Sequence, residues 1–248
     1  MEASDGTAKA RRVWDRAAPS YDRQIAFPER FWFAGGREWL GARVEGRVLD
    51  VGVGTGRNLP YYPKAPTPPV TGSRTGTTPG SVTATGTETG MGTPTAVGPG
   101  LGTVTGVDVS PGMLAVARRR AGDLGLEVEL READAARLPF VDGSFDTVVC
   151  ALSLCAIADP RAAVAEMWRV LAPGGRLLLF DHVVSTWPPV HAVQWLVERF
   201  SIPAAGEHFT RRQLPLVRAA GFQVVETVRR RAGTIELVHA IRPANVQQ

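Results

Sequence analysis

Short apolar runs alternate along this chain with longer segments whose apolar residues recur at helical spacing. Arg47–Val51 is a short apolar run that ends at a glycine cluster, and Thr103–Val109 is a second. Ser110-Pro111 then predicts a helix running to about Leu124, because serine caps well and proline is tolerated at the first helical position. Glu127–Arg131 predicts a third strand. Ser144–Leu152 predicts a fourth, apolar enough for burial on both faces. Asp159-Pro160 repeats the cap-and-proline signal before a helix with Ala163, Met167, Val170 and Leu171 on one face. Pro173-Gly174-Gly175 turns the chain into a fifth strand, Arg176–His182. Thr210 and Gln213 have the spacing of a capping box for a late helix, which Gly221 closes. Phe222–Arg229 and Thr234–Ile241 predict an antiparallel hairpin.

Strands alternating with helices predict an α/β fold: a Rossmann-like three-layer sandwich with a mostly parallel seven-stranded sheet. One antiparallel strand comes from the C-terminal hairpin. Ligands in such sheets bind beyond the carboxyl ends of the strands. That rule gathers Asp50–Gly56, Asp108, Asp134, Ala151–Leu154 and Asp181-His182 around one crevice.

Residues 65–102 break the alternation. Of these 38 residues, 26 are Thr, Gly or Pro, and only Arg74 and Glu88 are charged. Such a segment buries little apolar surface against a large entropic cost, so it is expected to be a disordered insert within one domain spanning 1–248. No apolar run approaches the roughly 20 residues that span a bilayer. The N-terminal segment lacks a signal-type apolar core, so a cytoplasmic location is expected. Cys150 and Cys155 share one apolar stretch and read as small buried residues. The net charge of +4 is carried almost wholly by arginine. The runs Arg118–Arg120 and Arg229–Arg231 read as solvated faces, so no nucleic-acid partner is expected.

The candidate chemistry begins at Asp50-Val51-Gly52-Val53-Gly54-Thr55-Gly56-Arg57. Glycines there permit a tight turn and close approach of a ligand to the backbone. The spacing is G-x-G-x-G; the dinucleotide fingerprint would need glycine where Arg57 stands. That disfavours a pyrophosphate and an NAD-dependent oxidoreductase, and favours a compact ligand with a small carboxylate. In nucleotide-binding folds an acid about 20 positions beyond the first glycine binds ribose hydroxyls. Asp108 ends the second strand, 56 positions after Gly52; leaving out the 38-residue insert reduces this to 18. Asp134 could accept from an adenine amino group or simply form a turn.

The ordered motifs VLDVGVGTGRN, VTGVDVSPGML, EADAARLPFVDGSFDTVV and RVLAPGGRLLLFDHV resemble those of class I S-adenosylmethionine (SAM)-dependent methyltransferases. Within the class, the chain resembles the small-molecule group, including quinone-biosynthesis C-methyltransferases. It is closer still to thiol-methyltransferase-like proteins and phosphatidylethanolamine N-methyltransferases. The resemblance implies SAM as methyl donor and a small-molecule acceptor. It assigns Asp50, Gly52 and Gly54 to the methionine part, and Asp108 to the ribose. Val109 and Met113 lie against the adenine, which Asp134 and Ala135 border. Ala151 and Leu152 lie beside the methyl group, and Tyr21 closes over the cofactor. His182 directly follows the fifth strand and is the candidate catalytic contact to the acceptor. No metal site is expected. Trp187, Trp195, Phe200 and Phe209 suggest an apolar or aromatic acceptor pocket, or else core packing beneath a helical lid. Trp14, Tyr21, Phe27, Phe31, Trp32 and Phe33 would form its opposite wall. The alternative to an enzyme is a SAM-binding module without turnover.

Excising residues 65–102 is expected to leave the melting temperature and SAM affinity nearly unchanged, measured by thermal unfolding and calorimetry. A collapse of the melting temperature would show that the segment contributes to the core.

Overall fold

The computed structural model describes residues 2–63 and 101–244. Most of the expected insert therefore lies outside the described residues. Its last two positions, Leu101 and Gly102, already belong to a strand, so an excision that keeps that strand whole ends at residue 100.

Three helices come first: α1 (Glu2–Ala17), α2 (Tyr21–Phe31) and α3 (Gly36–Gly41). The alternating body follows as β1 (Gly46–Val51), β2 (Leu101–Asp108), α4 (Pro111–Leu124), β3 (Val128–Glu132), β4 (Phe145–Ala151), α5 (Pro160–Val170) and β5 (Leu171–His182). The chain ends with α6 (Pro188–Ala205), α7 (Leu214–Ala219), β6 (Gln223–Arg230) and β7 (Ile235–Ile241). The seven strands form one sheet in the order β3-β2-β1-β4-β5-β7-β6. Strands β1 to β5 pair in parallel, and β7 runs antiparallel to both β5 and β6. Thus β7 alone runs against the rest, and it sits one place in from the edge.

The sheet is covered on both faces, and β5 shows why. Leu177 and Leu179 point into one core with Val51, Met167 and Val217. Leu178 and Phe180 point into the other with Trp39, Leu40 and Leu237. A continuous apolar run is what a strand sandwiched between two layers requires. The caps read from the sequence are present: Ser110 Oγ accepts from Met113 N at 3.0 Å, and Asp159 Oδ1 accepts from Ala162 N at 3.0 Å. No helix among the described residues is long and apolar enough to cross a membrane.

After the glycine turn the chain makes a single 3-10 turn at Leu59–Tyr61. Two local expectations are corrected. Strand β5 begins at Leu171, and its register shifts across Pro173-Gly174-Gly175 where it pairs with β4. The capping box at Thr210 does not form, because its hydroxyl donates to Glu198 Oε2 at 2.5 Å, and Gln213 caps α7 without a side-chain bond. In both cases a partner outside the local pattern decides: Gly174 N donates to Arg242 O, and Thr210 turns to Glu198.

Candidate active site

The parallel pairing of β1 with β2 and β4 brings three strand ends together, and a cavity opens just beyond them. Its empty space, counted out to open solvent at the mouth, is about 890 Å³. The turn after β1 forms one wall. Gly52, Gly54 and Gly56 have φ of 68°, 55° and 78°, the left-handed region that suits glycine. A Cβ at Gly52 would stand 2.6 Å from the Ser153 side chain, whereas one at Gly54 would meet nothing nearer than 4.0 Å. Gly52 thus keeps β1 and β4 close, while Gly54 leaves its backbone open to a ligand.

Asp108, at the end of β2, ties this turn to the next. Its Oδ2 accepts from Gly54 N at 3.0 Å and its Oδ1 from Ser110 N at 2.9 Å. Each carboxylate oxygen keeps acceptor capacity for hydroxyl donors. Burial raises its pKa to about 6, against the lowering effect of the two amides. Val109 and Met113 continue this wall, with Asp134 and Ala135 opposite. Asp134 Oδ1 accepts from Ala136 N at 2.9 Å, and its Oδ2 accepts from Thr7 Oγ1 of α1 at 2.7 Å. Ala151 and Leu152 supply the wall from β4. Leu152 holds φ at 51°, a left-handed conformation costly for a branched side chain, and its N–H donates to Phe180 O at 2.6 Å.

The N-terminal helices cover the cavity. Trp14 and Tyr21 line it and meet edge to face, with ring centroids 6.0 Å apart. Burial pushes the Tyr21 phenol far above its ordinary pKa, so it stays a neutral donor. Asp15 fastens α1 to the start of α4, accepting from Ser110 Oγ at 2.6 Å and Gly112 N at 2.9 Å. Helix α2 is clamped to the glycine turn by charge. Asp22 accepts from Thr55 Oγ1 at 2.8 Å and Arg120 at 2.5 Å, and pairs with Arg57 at 3.3 Å. Glu29 pairs with Arg37 and Arg57. Arg57, which stands where a dinucleotide site needs glycine, therefore holds the cover in place. Arg120, expected on a solvated face, turns inward to reach Asp22 and Thr55 O. Neither role has a local signal, since both pair residues distant in sequence.

Of the expected cofactor residues, Tyr21, Gly52, Gly54, Asp108, Val109, Met113, Asp134, Ala135, Ala151 and Leu152 all line the cavity. Asp50 does not. It is fully buried behind the turn, accepting from Asn58 Nδ2 at 2.9 Å and Tyr62 OH at 2.7 Å. Asn58 itself lines the cavity, so Asp50 orients a wall residue from behind.

His182 also lies outside the lining, its ring stacked on Phe209 at 4.4 Å. It belongs to a buried group in which one ligand-type atom each of Cys155, Asp181 and His182 lie within 4.8 Å of one another, a grouping no spacing in the sequence announced. Burial, and then the Asp181 charge, push the Cys155 thiol well above its ordinary range. Trp187, Trp195, Phe200, Phe27, Phe31 and Trp32 are exposed and do not line this cavity.

The family described as "Methyltransferase domain" matches residues 84–179. A phosphatidylethanolamine N-methyltransferase of Cereibacter sphaeroides is 34% identical over 157 residues, 62% of this chain and 60% of the relative. A demethylmenaquinone methyltransferase of Thermus thermophilus is 53% identical over 74 residues, 30% of this chain and 34% of the relative. The chain thus spans from about a third to three-fifths of the length of these curated relatives. Among solved structures, a SAM-dependent methyltransferase of Thermotoga maritima, described as a possible histamine N-methyltransferase, superposes with a TM-score of 0.63. It is 19% identical, and the match covers 94% of this chain and 99% of that one, a likeness of fold.

Gly52→Ala combines a left-handed φ with a clash against Ser153 and is expected to cost on the order of 1–3 kcal/mol of stability. Gly54→Ala carries the backbone strain without the clash and should cost less. Denaturant unfolding of both variants checks the ranking; equal losses would mean that packing against Ser153 is not what selects glycine at 52.

Proposed function

We propose that the chain is a class I SAM-dependent methyltransferase, a reading supported by its likeness to methyltransferases over part of their length, and that it binds SAM in the cavity at the strand ends. There it transfers the methyl group to a small apolar or aromatic acceptor, leaving S-adenosylhomocysteine. The observation that carries this reading is the convergence of the glycine turn and Asp108, bonded through Gly54 N, on one cavity. The cradle fits the ligand in three respects. The open backbone at Gly54 admits the methionine end, Asp108 has acceptor capacity for ribose hydroxyls, and Val109, Met113 and Ala135 offer apolar surface to an adenine with Asp134 at its border.

When bound, SAM supplies a methyl group on a cationic sulfur whose departure leaves a neutral thioether. The chain then has to align the acceptor and exclude water, and alignment supplies about 7–11 kcal/mol in favourable cases. Ala151 and Leu152 shape the space for the acceptor, with Leu152 held by the Phe180 carbonyl. Trp14 and Tyr21 close the cavity from above. A base is needed only for an acceptor that must lose a proton. His182 stands behind the lining, so this reading puts alignment before proton removal.

Calorimetry with SAM and S-adenosylhomocysteine, followed by incubation of methyl-labelled SAM with quinols, phenols, thiols and amines, tests the proposal. Binding of both ligands and label transfer to an aromatic or apolar acceptor is the expected result. Binding of NADH with none of S-adenosylhomocysteine would overturn it.

Asp108→Ala should weaken SAM binding by ~1–3 kcal/mol. Hydroxyl donors favour the ionised carboxylate, so wild-type affinity should fall as the pH drops through about 6, the raised pKa of Asp108. In Asp108→Asn the affinity should be lower and its fall across that interval reduced to what Asp50, whose pKa burial also raises to about 6, contributes from behind Asn58. Unchanged affinity in either variant would remove Asp108 from the site.

A further inference from the structure

Helix α6 is inverted relative to an ordinary surface helix. Its buried residues are polar: Gln194 and Glu198, one turn apart. Gln194 accepts from Ser185 N at 2.7 Å and donates to Val183 O at 2.8 Å, and Glu198 accepts from Thr210. These bonds pin the helix through its polar stripe. The apolar stripe faces outward, with Trp195 56%, Leu196 54% and Phe200 72% exposed. Helix α2 repeats the pattern: beyond Tyr21, which lines the cavity, it turns no side chain into the core, and it shows Phe27 and Phe31 at its surface, with Trp32 at its C-cap.

The two helices share one side of the molecule. At the end of α2 the Trp32 indole N–H donates to Thr234 Oγ1 at 3.2 Å, on the turn whose Ala232 O accepts from Thr186 N just before α6. A monomeric soluble surface rarely leaves so many large apolar side chains together.

The exposed charges on α2, on α6 and on the turn beside them are arginines. Arg23, Arg30, Arg199, Arg230 and Arg231 are exposed, and among the described residues none of them is in an ion pair. The acids Asp22 and Glu29 are turned inward to Arg37, Arg57 and Arg120. Two of the arginines lie over aromatic rings of the same face, Arg30 by Phe31 and Arg199 by Trp195. Tryptophan and phenylalanine rimmed by arginine suit the boundary between headgroups and acyl chains of an anionic bilayer. A twofold contact with a second copy would set the same unpaired arginines against one another.

We propose that α2 and α6 form a docking face for an anionic lipid surface, which holds the covered side of the cavity against the membrane. The docking itself does not depend on methyl transfer. Its consequence for the site, delivery of an apolar acceptor from the bilayer, rests on the function proposed above.

Co-flotation of the full chain with phosphatidylcholine–phosphatidylglycerol vesicles, and with phosphatidylcholine vesicles alone, tests the proposal. Binding should be at least about tenfold tighter to the anionic vesicles and weaken with salt. Trp195→Glu with Phe200→Glu should weaken it about tenfold or more. So should Arg30→Glu with Arg199→Glu, a pair that leaves the apolar stripe intact. Calorimetry with S-adenosylhomocysteine on the same variants shows whether they are folded and separates a failure of docking from a failure of the functional reading. No flotation with the anionic vesicles would overturn the proposal. So would a dimer in sedimentation equilibrium that the aromatic substitutions abolish while vesicle binding persists.

Discussion

The hydrogen bond from Gly54 N to Asp108 joins the two halves of the site. It links the turn after β1 to the end of β2 across a long stretch of chain, and it forms only because the two strands pair in parallel with Val51 opposite Val107. The same carboxylate accepts from Ser110 N, so it also fixes the entry to α4. One buried acid thus sets the relative positions of a backbone cradle, an acceptor for hydroxyls and a helix start. Few local changes could replace it, since a side chain without two acceptor oxygens leaves one of the amides unmatched.

Around that bond the strain is placed where it is useful. The three glycines of the turn take left-handed conformations at little cost, while Leu152 takes one at real cost. The Leu152 amide is held by Phe180 O, and Phe180 is fully buried between α3 and the sheet. A well-packed core can over-determine an unfavourable backbone angle in this way. The result is a β4 end that turns sharply and gives its side of the cavity a fixed shape.

The cover is attached by a different kind of force. Apart from Tyr21, which lines the cavity, helix α2 turns no side chain into the core and is fastened through Asp22 and Glu29 to arginines from the turn, α3 and α4. Carboxylates drawn inward leave the outer side of α2 to aromatic and cationic groups. In α6 the inward-facing Gln194 and Glu198 have the same effect. Both helices hold on by polar contacts and present apolar surface to the outside, which reverses the usual division of labour and gives this side of the molecule its character.

The order of strands and helices, the caps at Ser110 and Asp159, the glycine turn and the strand-end acid were legible in the sequence. Each is a local pattern, or a spacing that survives once the Thr-, Gly- and Pro-rich segment is left out. The parallel sheet with a single reversed strand followed from the same alternation. Only the tertiary structure decided which way the long side chains point. Asp50 lies behind the turn on Asn58 and Tyr62, and His182 packs on Phe209 outside the lining. Arg120 leaves a basic run to reach Asp22, and the aromatics of α2 and α6 face outward. The physical reason is common to all four: each outcome depends on a partner far along the chain. Periodicity shows that a residue belongs to a face, but only packing determines whether that face meets core, cavity or solvent.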